Sequence, residues 1–124
     1  MSKTTSLRSV INDILSGLTS DKIYYQQAEK DHANKYIVYT ADEVLKEDER
    51  TTLELEINVM DYGTDTSAAE ALADTIQTAF DKRFCINEEI GVYFYADRRN
   101  APVEQDRLII RRRLTFSTYL YERR

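Results

Sequence analysis

Between Thr51 and Asp61 the chain alternates strictly: Leu53, Leu55, Ile57 and Val59 interleave with Glu54, Glu56, Asn58 and Met60. Apolar residues at period two set one face of a strand against a core and leave the other for water or a partner. Asp61, Tyr62, Gly63 and Thr64 then break the alternation. From Ser67 the period changes: Ala69, Leu72, Ala73, Ile76, Ala79 and Phe80 recur at three and four. That is the stripe of an amphipathic helix, predicted from Ser67 to Arg83. Ser67-Ala68-Ala69-Glu70 fits a capping box, in which the serine oxygen accepts an orphan N–H and the glutamate reaches back.

The flanking segments are read in the same way. Leu7, Val10, Ile11, Ile14 and Leu15 have helical spacing, so a first helix runs from Ser6 to Ser16, with Thr5 or Ser6 as N-cap and Gly17 as C-cap. Ile23-Tyr24-Tyr25 is a short strand, and the polar stretch Gln26–Lys35, which holds the only histidine, His32, is a loop. Lys35–Thr40 is rich in β-formers and reads as a strand. The charged stretch Ala41–Arg50 is either a hairpin loop with extended arms or a short helical turn. Gly91–Tyr95 is an aromatic strand, and Asp97–Asp106, with the only proline, Pro102, is a loop.

A long last strand closes the chain. Leu108, Ile110, Leu114, Phe116 and Leu120 share one parity with Arg112 and Thr118, while Ile109, Arg111, Arg113, Thr115, Ser117, Tyr119 and Tyr121 share the other. A strand this long either projects past its sheet or bends at a bulge near Arg112, where the apolar series is interrupted. The order helix, strands, helix, strands predicts an α+β fold. It is a single domain over residues 1–124, with a mostly antiparallel or mixed sheet and two helices packed on one face. The other face carries glutamates, arginines and tyrosines, and is either wet or covered by another subunit.

Composition adds limits. With 124 residues, 31% of them charged and 42% hydrophobic, the chain has the makeup of a soluble domain that needs no metal or disulfide to fold. No apolar run approaches the length that spans a membrane, and the N-terminus leads into an amphipathic segment rather than a signal core. Cys85 is the only cysteine, which fits a reducing compartment. The formal charge of −5 resides in the first half, residues 1–62, while the arginine-rich second half is neutral. Net acidity argues against nonspecific wrapping of nucleic acid.

Candidates for chemistry are few. His32 has no serine or cysteine at a familiar spacing, and Cys85, between Phe84 and Ile86, reads as a buried structural thiol. Glu54 and Glu56 share a strand face and could in principle hold a metal or move a proton, but on an amphipathic strand they read as its wet face. Glu47-Asp48-Glu49 reads as a solvated loop. Three glycines, Gly17, Gly63 and Gly91, cannot build a phosphate-cradling loop. No catalytic, cofactor or metal site is expected.

The one basic concentration is Arg111-Arg112-Arg113 with Arg98, Arg99, Arg123 and Arg124. With Tyr93, Tyr95, Tyr119 and Tyr121 it could contact nucleic acid, or it could form a protein interface, where Arg and Tyr are enriched. Strand alternation sends Arg112 to the face opposite Arg111 and Arg113, which splits the triplet and favours the interface.

Taken in order, these segments resemble the tail-terminator (tail-completion, minor tail) proteins of long-tailed bacteriophages and prophages. The likeness covers most of the chain: the N-terminal helix, Ile23-Tyr24-Tyr25, Tyr36-Ile37-Val38-Tyr39, Leu55 to Tyr62, the Glu70-Ala71-Leu72-Ala73 helix, and Arg113-Leu114-Thr115-Phe116-Ser117-Thr118-Tyr119. The chain departs from that pattern in having Asn34-Lys35 where proline is common, and in its more acidic Ala41–Arg50 loop. The resemblance implies a structural protein without catalysis. It would form a sixfold ring on the finished tail tube, stop polymerisation of the major tail tube protein and present a surface to the head-completion proteins. DNA would pass through the channel without specific binding. The place implied is the head-proximal end of the virion tail, assembled in the bacterial cytoplasm. Within such a ring, Glu54, Glu56, Arg111, Arg113, Tyr119 and Tyr121 are the expected subunit-interface residues.

Overall fold

The described residues, 3–123 of a computed structural model, run through α1 (Lys3–Ser16), β1 (Lys22–Tyr25), β2 (Tyr36–Lys46), β3 (Arg50–Tyr62), α2 (Ser67–Phe80), β4 (Arg83–Ile86), β5 (Ile90–Asn100) and β6 (Ile109–Glu122). The strands form one sheet in the order β1-β2-β3-β6-β5-β4. Only the β1–β2 pair is parallel. The fold is therefore α+β with a mixed, mostly antiparallel sheet. Arg124, part of the basic concentration, lies outside the described residues.

β3 and β6 are central because they carry the longest alternations. They pair without interruption from Arg50↔Tyr121 to Tyr62↔Ile109. That register aligns Leu55 with Phe116 and Ile57 with Leu114 on the inner face, and Glu56 with Thr115 and Asn58 with Arg113 on the outer face. One core gathers Leu7, Ile11 and Leu15 of α1, Ala73, Ile76 and Phe80 of α2, and the inner-face residues of the sheet. Phe80 is its hub, edge-on to Phe94 at 5.0 Å and tilted on Phe116 at 5.5 Å between ring centroids. Aromatic contacts of this kind add to the burial of their area. The Tyr39 hydroxyl enters the core edge and donates to Asn12 Oδ1 of α1 at 2.9 Å.

Several local expectations change. The bulge expected near Arg112 does not occur, and β6 does not overrun its sheet. Instead β2 bulges between Glu43 and Leu45 and β5 between Ala96 and Arg98. A strand paired along its whole length to β3 has its irregularity transferred to the neighbours. The helix predicted to Arg83 stops at Phe80, because Asp81 is extended and Lys82 is left-handed (φ 59°). The chain then enters β4, which the helical stripe concealed. β5 continues to Asn100, so the expected loop begins four residues later than Asp97. Ala41–Lys46 is extended, and Glu47 N–H donates to Arg50 O at 2.8 Å to close a hairpin; the alternative of a helical turn is excluded. α1 begins at Lys3, not Ser6; Ser6 is buried and donates to Glu89 Oε2 at 2.6 Å.

The capping box is also replaced. Thr66 is the N-cap and makes no side-chain cap bond. Asp65 Oδ1 accepts the Ser67 N–H at 3.0 Å and the Ser67 hydroxyl at 2.7 Å, while Glu70, one residue too late for the box, turns to the arginines of the sheet.

Thr118 is fully buried on the inner face, and its hydroxyl has no hydrogen-bond partner among the described residues. An unpaired buried polar group costs about 1–3 kcal/mol. Thr118→Val is therefore expected to raise stability by about 1 kcal/mol in urea unfolding. A loss of stability would mean that this hydroxyl is satisfied.

Candidate functional site

The outer sheet face holds the predicted residues, and strand register arranges them in rows. Met60 and Arg111 begin one end beside Tyr36; Asn58, Arg113 and Asn100 follow, then Glu56, Thr115 and Arg98, then Glu54, Ser117 and Tyr95. The next row runs across the sheet as Leu45, Thr52, Tyr119, Tyr93 and Phe84, and the last sets Arg50, Tyr121, Gly91 and Ile86 side by side. One half of the face is thus charged and the other half aromatic and apolar.

The charged half is an ion-pair network within the chain. Arg111 Nε donates to Asn58 Oδ1 at 2.7 Å, and its Nη1 donates to Glu104 Oε1 at 3.1 Å; its other nitrogen lies 3.7 Å from Glu56. Arg113 donates to Asn100 Oδ1 at 3.0 Å and stands 4.0 Å from Glu56. Glu54 pairs with Arg98 at 3.5 Å. Of the six predicted interface residues, four therefore already stand in intrachain ion pairs: Glu54, Glu56, Arg111 and Arg113.

The triplet is split as alternation requires. Arg112 points to the inner side and donates to Glu70 of α2. The β5 bulge does the same for Arg99. The extra residue Asp97 sends Arg98 outward and Arg99 inward, where Arg99 meets Glu70 at 3.0 Å and also Asp74. Asp81, just beyond α2, accepts the Ala96 N–H beside the bulge at 3.0 Å. The hydrogen bond from Arg112, reinforced by the charges of Arg112 and Arg99, holds the Glu70 carboxyl below its usual range. A depressed carboxyl contributes stability above its unfolded value of about 4.3 and loses it as pH falls through the lower folded value. Glu70→Gln is expected to flatten the acid limb of the stability profile below about pH 4 while leaving its shape near neutrality. An unchanged acid limb would show that Glu70 is uncoupled from folding.

The apolar half is exposed. Phe84 and Ile86 remain 56% and 61% accessible, and Tyr121 39%. Tyr93 and Tyr119 stack at 6.4 Å, and the Arg50 guanidinium lies 5.1 Å above the Tyr119 ring. The Phe84 ring lies over Gly91, where a Cβ would meet Cζ at 3.2 Å. Sequence reasoning missed Phe84, Ile86 and Leu45 as members of this face. The alternation Phe84-Cys85-Ile86 was the available signal, masked by the helix assigned up to Arg83.

The other candidates stand apart. His32 is exposed, its ring 4.1 Å from that of Tyr36. Cys85 is half-buried against the core. Glu47, Asp48 and Glu49 form the exposed hairpin tip, where Glu47 pairs with Arg50. Among the described residues no group of three or more His, Cys, Asp or Glu could hold a metal, and no helix is long and apolar enough to cross a membrane.

No protein-family model and no curated protein matches this sequence. Its fold is similar to that of a chain in the virion of a native gene transfer agent (GTA) particle. The TM-score is 0.67 at 14% identity, over 86% of this chain and 84% of that one. At that identity the likeness is one of fold. It spans most of both chains.

Proposed function

We propose that this protein is a virion structural protein, a ring-forming tail terminator of a long-tailed bacteriophage or prophage. The observation that carries the proposal is the near full-length fold likeness to a chain of a virion. The order of segments that resembles the terminator family adds the finer role. In this reading both helices pack on one side of the sheet and leave the other for assembly, which is supported by the Tyr39 bond to α1 and by the contact of Phe80 of α2 with Phe94 and Phe116.

In this reading about six copies form a ring that caps the tube, stops the major tail tube protein from adding, and offers a joining surface to the head-completion protein. DNA passes through the channel unread, the role involves no catalysis or cofactor, and the protein resides at the head-proximal end of the tail. A head-closure or connector ring is the neighbouring assignment within the same class. The nucleic-acid module is weaker, because Arg98, Arg99, Arg111, Arg112 and Arg113 are each held by a carboxylate of the same chain. Phosphate contact would have to break those pairs.

Light scattering after size exclusion, with electron micrographs of the largest species, tests the reading. A discrete ring with a mass near six times 14.5 kDa is expected. A monomer at every concentration and salt, with salt-dependent DNA binding, would replace it by the nucleic-acid module.

A further inference from the structure

The two lateral edges of the sheet are unlike each other and both are incompletely covered. β1 pairs only with Tyr36–Tyr39, so Thr40–Lys46 of β2 present an open edge on the side away from β3. At the far side β4 covers only Gly91–Phe94 of β5, and β4 is itself an edge. Open edges offer unpaired N–H and C=O groups to another chain, and proteins usually blunt them. Here both carry exposed apolar side chains instead. Val44 (65% accessible) and Leu45 (53%) project at the β2 bulge, and Phe84 and Ile86 project from β4.

Their charges are complementary along the row that runs from Glu43 through Leu53, Thr118 and Phe94 to Arg83. The β2 edge and hairpin tip carry Asp42, Glu43, Glu47, Asp48 and Glu49 against Lys46, all exposed. Beside β4, Lys82 and Arg83 are exposed and form no ion pair among the described residues, while the turn that follows β4 carries the exposed acids Glu88 and Glu89 and Asp81 precedes it. Complementary edges of this kind favour an ordered encounter and disfavour like edges meeting.

We propose that the β2 edge of one copy, with Val44, Leu45, Asp42 and Glu43, docks against the β4 edge of a second copy at Phe84, Ile86, Lys82 and Arg83. The open part of β2 and β4 lie on opposite lateral sides of the sheet. The contact is therefore heterologous: each copy uses both edges on different neighbours, and repetition gives a closed ring or an open filament rather than stopping at a dimer. Val44, Leu45, Phe84 and Ile86 are the apolar centre and the charges its rim. The inference rests on the ring reading and names the surfaces that build it.

The test is site-directed cross-linking with Cys85→Ser as background. Full-length Val44→Cys and Phe84→Cys proteins are prepared separately, checked for unchanged far-UV spectra and thermal melting, then mixed and joined with a short bis-maleimide. The mixture is expected to give at least about tenfold more covalent dimer than either protein alone, and a chain carrying both substitutions a ladder of higher multimers. Raising salt to about 0.5 M should lower the yield, since exposed charges are screened. Equal self-cross-linking of either single variant would mean a two-fold contact and overturn the inference. Oligomers by light scattering with no cross-link in the mixture would overturn it and leave the ring standing. A monomer at every concentration would overturn both.

Discussion

Phe80→Ala is expected to cost about 3–5 kcal/mol, the usual loss when a buried aromatic becomes alanine. Phe80 is fully buried at the end of α2, and its ring joins the helix to β5 through Phe94 and to β6 through Phe116. Alanine would leave a void between two rings that are fixed in paired strands and cannot collapse into it. The last turn of α2 would lose its anchor just before Asp81 and Lys82 redirect the chain into β4. For a domain with typical stability of about 5–15 kcal/mol, this removes a large fraction of the total. Urea unfolding of the variant beside Thr78→Ala, an exposed change on the same helix expected within about 0.5 kcal/mol, measures it. A loss under about 1 kcal/mol would show that the core repacks freely around α2.

Arg113→Glu is the second large effect, and it acts on assembly more than on folding. The substitution sets a carboxylate beside Glu56, now 4.0 Å from the arginine, and removes the bond to Asn100. Both side chains are about one-third accessible, so the folding penalty is screened and expected to be near 1 kcal/mol. If Arg113 lies in the subunit interface, the ring loses considerably more, because reversal places like charges in a desolvated contact. Loss of more than about tenfold in association, read from the concentration dependence of mass, is the expected result. Pairing it with Glu56→Arg separates the two roles. The double reversal restores the 56–113 pair but loses the contact of Arg111 with Glu56; if it restores assembly as far as it restores stability, the residue acts only within its own chain. Restored stability without restored assembly assigns Arg113 to the interface.

The division of the outer face bears on the second experiment. Its charged half is internally neutralised, so contact there contributes through geometry and exclusion more than through new ion pairs. Its apolar half retains exposed Phe84, Ile86 and Tyr121, whose burial is worth about 25 cal/mol per Å². Tyr119 and Tyr121, from the six residues expected at an interface, belong to this half, whereas Glu54, Glu56, Arg111 and Arg113 belong to the other.

The sequence by itself determined the parities. Period two in residues 53–60 and 108–120 fixed which side chains of β3 and β6 face the core, and it divided Arg111 and Arg113 from Arg112, because a strand has no other way to place successive side chains. Period 3.6 in residues 69–80 fixed the buried stripe of α2. Only the tertiary structure decided where those patterns are interrupted. Lys82 takes a left-handed conformation that no apolar pattern signals, and it turns an apparent continuation of the helix into an edge strand carrying Phe84 and Ile86. The bulge at Asp97 reverses the facing of every later residue of β5, so that Arg99 meets Glu70 across 29 positions of sequence while Arg98 meets Glu54 on the opposite side. One inserted residue changes a face at almost no local cost, and its position is set by what the neighbouring strand and helix require.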